Sequence, residues 1–377
     1  MKIKSIETTP LFCKFRQPYH WAQGVTHGAP VILIRIETDT GVVGIGESSA
    51  SPDCPTVLSI LQDAIPSFIG KSAYDGNRMI WNYYRDGFNA RGTGSASRFF
   101  SQAMTGFELA LWDAIGKAAG QPLHRLLGGK ARDEVRYFGF IQGNTADELA
   151  HHAKSLVKQG FEVLYLKIGR GDDLDEEITA AVRKAIGRKR LRLDANEAWD
   201  MLRARRMFER LKPYDPEFIE QPVPGRLGAE GLARLRAVTN IPVAADQTIY
   251  SPEDVYDICR NRSADVLVMG LHETCGVVRF CKAAAIAEAA GVNICLHGIF
   301  ETGITTCASN QVAAMLGNMD DGNQIMWQLL AEDIVSSPSL VPTGGALRVF
   351  DKPGLGFELA DDAVARAAEA YRMGQRS

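Results

Sequence analysis

From about Val135 onward, short apolar runs alternate with longer amphipathic stretches, and this repetition limits the possible folds more than any other feature. The runs are Val135–Ile141, Val163–Ile168, Leu191–Asp194, Phe218–Glu220, Pro242–Asp246, Val266–Met269 and Asn293–His297. Between them lie helix-like segments such as Ala146–Gln159, Leu174–Ile186, Leu202–Leu211, Pro252–Arg260 and Phe280–Ala290. Runs that are apolar throughout read as strands buried on both faces of a parallel sheet. An eighth run, expected near Gln324–Leu330, completes a set that closes into a (β/α)8 barrel. A doubly wound open sheet is the rival arrangement.

The chain before Val135 reads differently. Ile3–Thr9 alternates, Val31–Thr38 is β-prone, and Asp39-Thr40-Gly41 supplies a turn before Val42–Glu47. Ala103, Phe107, Leu111, Ala114 and Ile115 then recur at helical spacing until Gly120-Gln121-Pro122. The expected division is an α+β domain over residues 1–130 and a barrel over 131–340. A tail from about 340 to 377 returns to the first domain after the Pro353–Gly356 turn. The net charge of −3 gives no basic field for nucleic acid or an anionic membrane, and no apolar run has the length of a membrane helix. Seven scattered cysteines without a CxxC pair argue against a disulfide framework and point to a reducing, cytoplasmic setting.

In such a barrel the chemistry gathers where strands end. The second strand ends at Lys167, the third at Asp194, the fourth at Glu220 and the fifth at Asp246. The three acids are separated by 26 residues in each case (194 to 220, 220 to 246), which brings them to one rim. Each alone reads as a loop acid or helix cap. Together they need a compensating cation, and oxygen-only ligands suit Mg2+, with Mn2+ as a second possibility. Asn196 adds a carbonyl ligand or orients a water. Lys167, pointing into the same cavity, is the expected general base, with a surface role as the alternative. Tyr165 shares its strand face and either hydrogen-bonds substrate or fills the barrel. His297 approaches from the other side as general acid or second base, with Glu301 placed to bond it or the substrate.

At these residues the chain resembles the enolase superfamily, in the mandelate racemase/muconate lactonizing enzyme group. GVVGIGES (41–48), GFELALWDAIGKAAGQPLHRLLGG (106–129), YLKIG, LRLDANEAW, FIEQP, PVAADQ and PGLG (353–356) carry the likeness across nearly the whole chain. The resemblance implies an N-terminal α+β capping domain over a modified (β/α)7β barrel, and one Mg2+ held by Asp194, Glu220 and Asp246. It also implies removal of a proton α to a carboxylate, and a homo-oligomer. A capping loop near residue 20 places Trp21 on the substrate, and Trp327 reaches the same pocket.

The chain departs from the family pattern at three points. Tyr165 stands where the first lysine of a KxK motif belongs. Gly270 occupies the strand-six position of a lysine, or of an aspartate that orients the histidine; neither His272 nor Glu273 has the family spacing. His297 together with Asp246 mixes two branches. With one acid opposite Lys167, the expected reaction is β-elimination, such as dehydration of an acid sugar. Cycloisomerisation, racemisation or epimerisation are alternatives, and a non-catalytic ligand-binding barrel is a further one.

Overall fold

The computed structural model describes residues 1–88 and 97–375. The N-terminal meander is longer than the sequence suggests: β1 (Ile3–Trp21), β2 (Gly24–Thr38) and β3 (Val43–Ser49) form one antiparallel sheet. Beyond Lys14 the register shifts, and the hairpin tip of Tyr19, His20 and Trp21 extends toward the barrel. Helices α1 (Cys54–Phe68), α2 (Gly76–Asn82), α3 (Ser97–Ala119) and α4 (Leu123–Leu126) follow. Gly44 and Gly46 allow β3 to lie directly on α3. A Cβ at Gly44 would sit 2.0 Å from the Ala110 carbonyl oxygen, and one at Gly46 would sit 2.2 Å from that of Gly106.

After β4 (Glu134–Arg136), the barrel strands run in order as β5 (Gly139–Phe140), β6 (Val163–Lys167), β7 (Arg190–Asp194), β8 (Phe218–Glu220), β9 (Val243–Ala245), β10 (Val266–Met269) and β11 (Asn293–Leu296). They form one seven-stranded parallel sheet in sequence order. Its outer helices are α5 (Ala146–Lys158), α6 (Asp172–Ile186), α7 (Met201–Leu211), α8 (Gly228–Arg236), α9 (Pro252–Asn261) and α11 (Val277–Ala289), with the one-turn α10 (Leu271–Thr274) after β10. Local chemistry fixes where several begin. Thr145 and Glu148 form a reciprocal capping box on α5, and Asp200 accepts from Leu202 and Arg203 at the start of α7. Such caps each contribute about 1 kcal/mol. The family fold is therefore present: a modified TIM barrel beneath an N-terminal cap.

The eighth stave departs from expectation. Gln324–Leu330 is not a strand; Met326–Leu329 is a 3-10 turn. Closure falls slightly earlier, where Met319 bridges Ile294 and Asn323 bridges Tyr137. Side chains replace the ladder there. Asn323 Oδ1 accepts the Leu296 N–H, Asn323 Nδ2 donates to the Arg136 carbonyl, and Asp320 accepts the Gly322 N–H. Local side-chain bonds of this kind displace regular strand pairing.

α12 (Gly303–Met315) follows β11, then β12 (Val335–Ser337), β13 (Ala346–Arg348), β14 (Glu358–Leu359) and α13 (Asp361–Arg372), which packs on β1. Two buried acids join cap to barrel. Glu47 on β3 accepts from the Thr302 and Thr305 N–H groups at the start of α12, and Glu108 on α3 accepts from Val277 and Val278 at the start of α11. Both exploit unpaired donors and positive partial charge at a helix N-terminus. Among the described residues, no helix is long and apolar enough to cross a membrane.

Candidate active site

Parallel pairing sets Lys167 beside Asp194, and Asp194 beside Glu220. Asp246 follows β9 directly, and the Gln221 amide oxygen holds it by accepting the Asp246 and Thr248 N–H groups at 3.0 and 3.2 Å. Sequence reasoning overlooked Gln221, which directly follows Glu220. Lys167 Nζ donates to Asp194 Oδ2. The Tyr165 hydroxyl reaches the same oxygen at 2.6 Å and Glu220 Oε1 at 2.8 Å, while its ring stacks on Phe138. Tyr165 thus bridges two of the acids. Asn196, at φ 42°, donates its N–H to Asp194 Oδ1 at 2.8 Å. A non-glycine residue in that left-handed region carries strain, and such strain is concentrated at functional sites.

On the far side, His297 follows β11. Its Nδ1 meets Glu273 Oε1 on α10, and its Nε2 lies 3.6 Å from Asp246 Oδ2. Glu273 therefore takes the orienting position that Gly270 leaves vacant. A Cβ at Gly270 would sit 2.6 Å from both Glu273 Oε2 and the His297 carbonyl oxygen, so this contact requires glycine. The spacing that disfavoured Glu273 in sequence is overcome by one helical turn after the strand. Glu301, buried behind Gly298, accepts the Ile299 N–H.

The acids repel one another in a dry setting. Burial, reinforced by Asp194 and Asp246, holds Glu220 well above the usual carboxylate range. Burial likewise raises Asp246 to about 7, with His297 opposing and Asp194 adding. For His297 burial favours the neutral ring, but Asp246 and Glu273 outweigh it and raise the imidazolium to about 10. Glu220 Oε2, Asp246 Oδ2 and Asn196 Oδ1 are buried without a hydrogen-bond partner among the described residues. One ligand atom each from Glu220, Asp246 and His297 lie within 4.8 Å of one another. Asp194 stands just outside that group, its oxygens taken by Lys167, Tyr165 and the Asn196 N–H. Unpartnered carboxylate and carbonyl oxygens at this density fit a hard divalent cation.

The cap supplies an aromatic cover. Tyr19 and Trp21 from the hairpin tip pack against Phe300, with ring centroids 5.6 and 6.2 Å apart. Tyr19 also lies near enough to Lys167 for the two groups to influence each other's ionisation, a proximity the sequence did not reveal although the loop was recognised. Ala22 closes on the loop after β6, where a Cβ at Gly169 would lie 2.9 Å from it. The Trp327 ring lies beneath the Arg16 guanidinium of the cap, 5.8 Å away.

Two family models match: the mandelate racemase/muconate lactonizing enzyme N-terminal domain over residues 5–128, and the enolase C-terminal domain-like model over 148–363. The chain belongs to the mandelate racemase/muconate lactonizing enzyme family of the enolase superfamily. Within that family it is 31% identical to muconate cycloisomerase 1 of Rhodococcus opacus, covering 97% of this chain and 98% of that one. It is 28% identical to D-galactonate dehydratase of Pectobacterium atrosepticum, covering 97% and 94%. A solved dipeptide epimerase from Enterococcus faecalis V583, complexed with Mg and the dipeptide L-Leu-L-Tyr, superposes with a TM-score of 0.84 at 26% identity, over 95% and 100% of the two chains. These enolase-superfamily relatives are enzymes, and so is this chain. That sets aside the non-catalytic alternative.

Proposed function

We propose that this enzyme removes the proton α to the carboxylate of a small hydroxy acid and then expels the β-hydroxyl. One observation carries this reading: Lys167 and His297 flank the same acidic centre from opposite ends, one on Asp194 and the other beside Asp246. A divalent cation, Mg2+ in the solved epimerase relative, would be held by Asp194, Glu220 and Asp246, and when bound it offsets the negative charge that grows on the substrate carboxylate. Lys167 acts as the base in its neutral form. Burial favours that form, but Asp194, Tyr19 and Glu220 hold the ammonium's pKa well above the ordinary lysine value, so neutralising those acids is what frees the amine. The Cα–H proton passes to Lys167 Nζ, the C–O bond to the β-hydroxyl breaks as the double bond forms, and the His297 Nε2 proton leaves with that oxygen as water. Glu273 fixes the ring by its contact at Nδ1. The cap, residues 1–130, excludes water through Tyr19 and Trp21.

A second reading is supported by the Glu273–His297 contact. An oriented histidine opposite Lys167 is equally able to return a proton to Cα, which is epimerisation. One experiment separates the readings. The Mg2+-loaded enzyme is incubated in D2O with small hydroxy carboxylates and followed by NMR. Loss of water with an alkene product supports elimination, whereas deuterium at Cα with inverted configuration supports epimerisation. Unchanged turnover in Lys167→Ala would remove Lys167 from the base role.

A further inference from the structure

α10 carries Glu273, and four residues cannot hold a helical turn by themselves. No side chain caps its N-terminus at Gly270. Its ties run instead to the cap and to α12. The Thr105 hydroxyl of α3 lies 2.9 Å from the Leu271 carbonyl oxygen. The His272 ring, 2% exposed, stands between the two domains: its Nδ1 faces the Ser49 N–H of β3 at 3.5 Å, and its Nε2 lies 3.0 Å from Thr305 Oγ1 on α12. The Thr305 N–H donates in turn to Glu47 of β3 at 2.8 Å, and the Ser49 hydroxyl donates to the Ile299 carbonyl, two residues beyond His297. Cap strand, α10, α12 and the loop after β11 thus meet around one imidazole.

These contacts assign the ring. Nδ1 faces a donor and so accepts, which leaves the hydrogen on Nε2 to be donated to the Thr305 hydroxyl. Burial lowers the His272 pKa to about 4 against the pull of Glu273, so the ring keeps this form at neutral pH. Glu273, the next residue, turns toward the site. Among the described residues the only hydrogen bond to its side chain is the one with His297, so the place of its carboxylate is set by the backbone of α10. A shift of that turn by about 1 Å would spoil the alignment of the pair.

We propose that His272 is a positioning residue that couples docking of the cap to the catalytic acid: it fixes α10 against β3 and α12, and so holds Glu273 at Nδ1 of His297. The inference rests on the acid role given to His297 above. His272 acts through Glu273 and not on the reacting atoms. Lys167 stands at the opposite end of the centre and removes the α-proton without this support, so the two halves of the reaction respond differently to its loss.

The test uses His272→Phe, which keeps a ring and removes both contacts, and His272→Gln, whose amide restores the donation to Thr305. Thr305→Val removes the same contact from the other side and serves if the ring variant folds poorly. Proton NMR of the Mg2+-loaded protein with 15N-labelled histidine reads the pair directly. An imidazole N–H bonded to a buried carboxylate resonates far downfield, and the His297 signal is assigned by its loss in His297→Gln. The signal should be present in the parent and in His272→Gln, and lost or displaced in His272→Phe and Thr305→Val. With D-galactonate, glycerate and tartrate in D2O, product formation should fall about tenfold or more in His272→Phe, while KM and α-proton exchange stay within about threefold of the parent. His272→Gln should recover most of the rate. A parent without the signal, or a signal unmoved in both His272→Phe and Thr305→Val, overturns the inference. Parental product formation in His272→Phe overturns it too, and so does an equal fall in exchange and product formation without recovery in His272→Gln, the mark of a purely structural role. Should the parent convert none of the three acids, the proposed function loses these substrates, and the NMR signal alone decides whether His272 positions Glu273.

Discussion

Arg192 and Asp194 lie two residues apart on the same inward face of β7, yet their surroundings differ sharply. Arg192 is fully buried, and its guanidinium donates to Glu217, Asp320 and the Gly322 carbonyl, touches the Cys295 thiol at 3.0 Å and lies over the Phe218 ring. One layer above, Glu220, Asp246 and Glu273 each keep a buried oxygen with no partner among the described residues. The lower layer pairs its buried charge; the rim pairs Lys167 with Asp194 and His297 with Glu273 but leaves further acceptor oxygens unmatched. Unpaired burial is costly, so a chain that keeps it at one rim has set that rim aside for a ligand, while the layer beneath serves stability.

The largest effect should come from the rim. Replacing Lys167 by alanine removes the base, and turnover and α-proton exchange should fall by roughly 10^2–10^4-fold. Circular dichroism should show the fold intact, since the loss concerns chemistry. A variant exchanging at the parental rate would break the contrast between the two layers.

Next comes the lower layer. Arg192→Met strands Asp320 and Glu217, and the cost should approach 3–5 kcal/mol in urea unfolding, at the lower end because Arg190 also contacts both acids. Stability within 1 kcal/mol of the parent would show that the paired network is not what supports the barrel.

The parts legible in sequence were those that depend on local period. Apolar runs gave the strands, and strand ends gave Lys167, Asp194, Glu220, Asp246 and His297, because in a closed barrel the last residue of a strand has little choice of direction. Glu273 and Tyr19 were not legible in the same way. Each reaches the centre from another element, Glu273 through the turn of α10 and Tyr19 across from the cap. Trp327 was placed by assuming an eighth strand, and the bonds around Asn323 replace that strand. Arg192 gave no warning either, since an arginine inside an apolar run reads as an outward residue until its partners, 25 to 130 residues away, are seen.

Glu108 lies between the two extremes: buried, without an ion pair among the described residues, and held by the Val277 and Val278 N–H groups. Burial raises its pKa to about 7 against those donors. Because the folded value exceeds the unfolded one, its contribution is complete below about pH 4.5 and is lost as pH rises through about 7. At 1.36 kcal/mol per pKa unit the decline is at most about 3 kcal/mol, and less if the N–H groups hold the anion well. Urea unfolding from pH 4.5 to 8 should show this fall, and Glu108→Gln should flatten it. An unaltered slope in the variant would mean that helix N-terminus bonds match this acid as fully as Arg192 is matched below.

The smallest effect sharpens the comparison most, because its sign is opposite to that of the lower layer. Glu220 is fully buried between Asp194 and Asp246, and removing its charge relieves both desolvation and repulsion. Glu220→Gln should therefore stabilise the metal-free protein at pH 8 by about 1 kcal/mol, where Arg192→Met destabilises it. The same variant should lose the gain that Mg2+ gives the parent, about 2.7 kcal/mol at a hundredfold excess over Kd. Thermal melts with chelator and with Mg2+ read both effects in one series. If Glu220→Gln melts below the parent in chelator, the rim acids are already as well matched as Arg192, and the unpartnered oxygens do not mark a cation site.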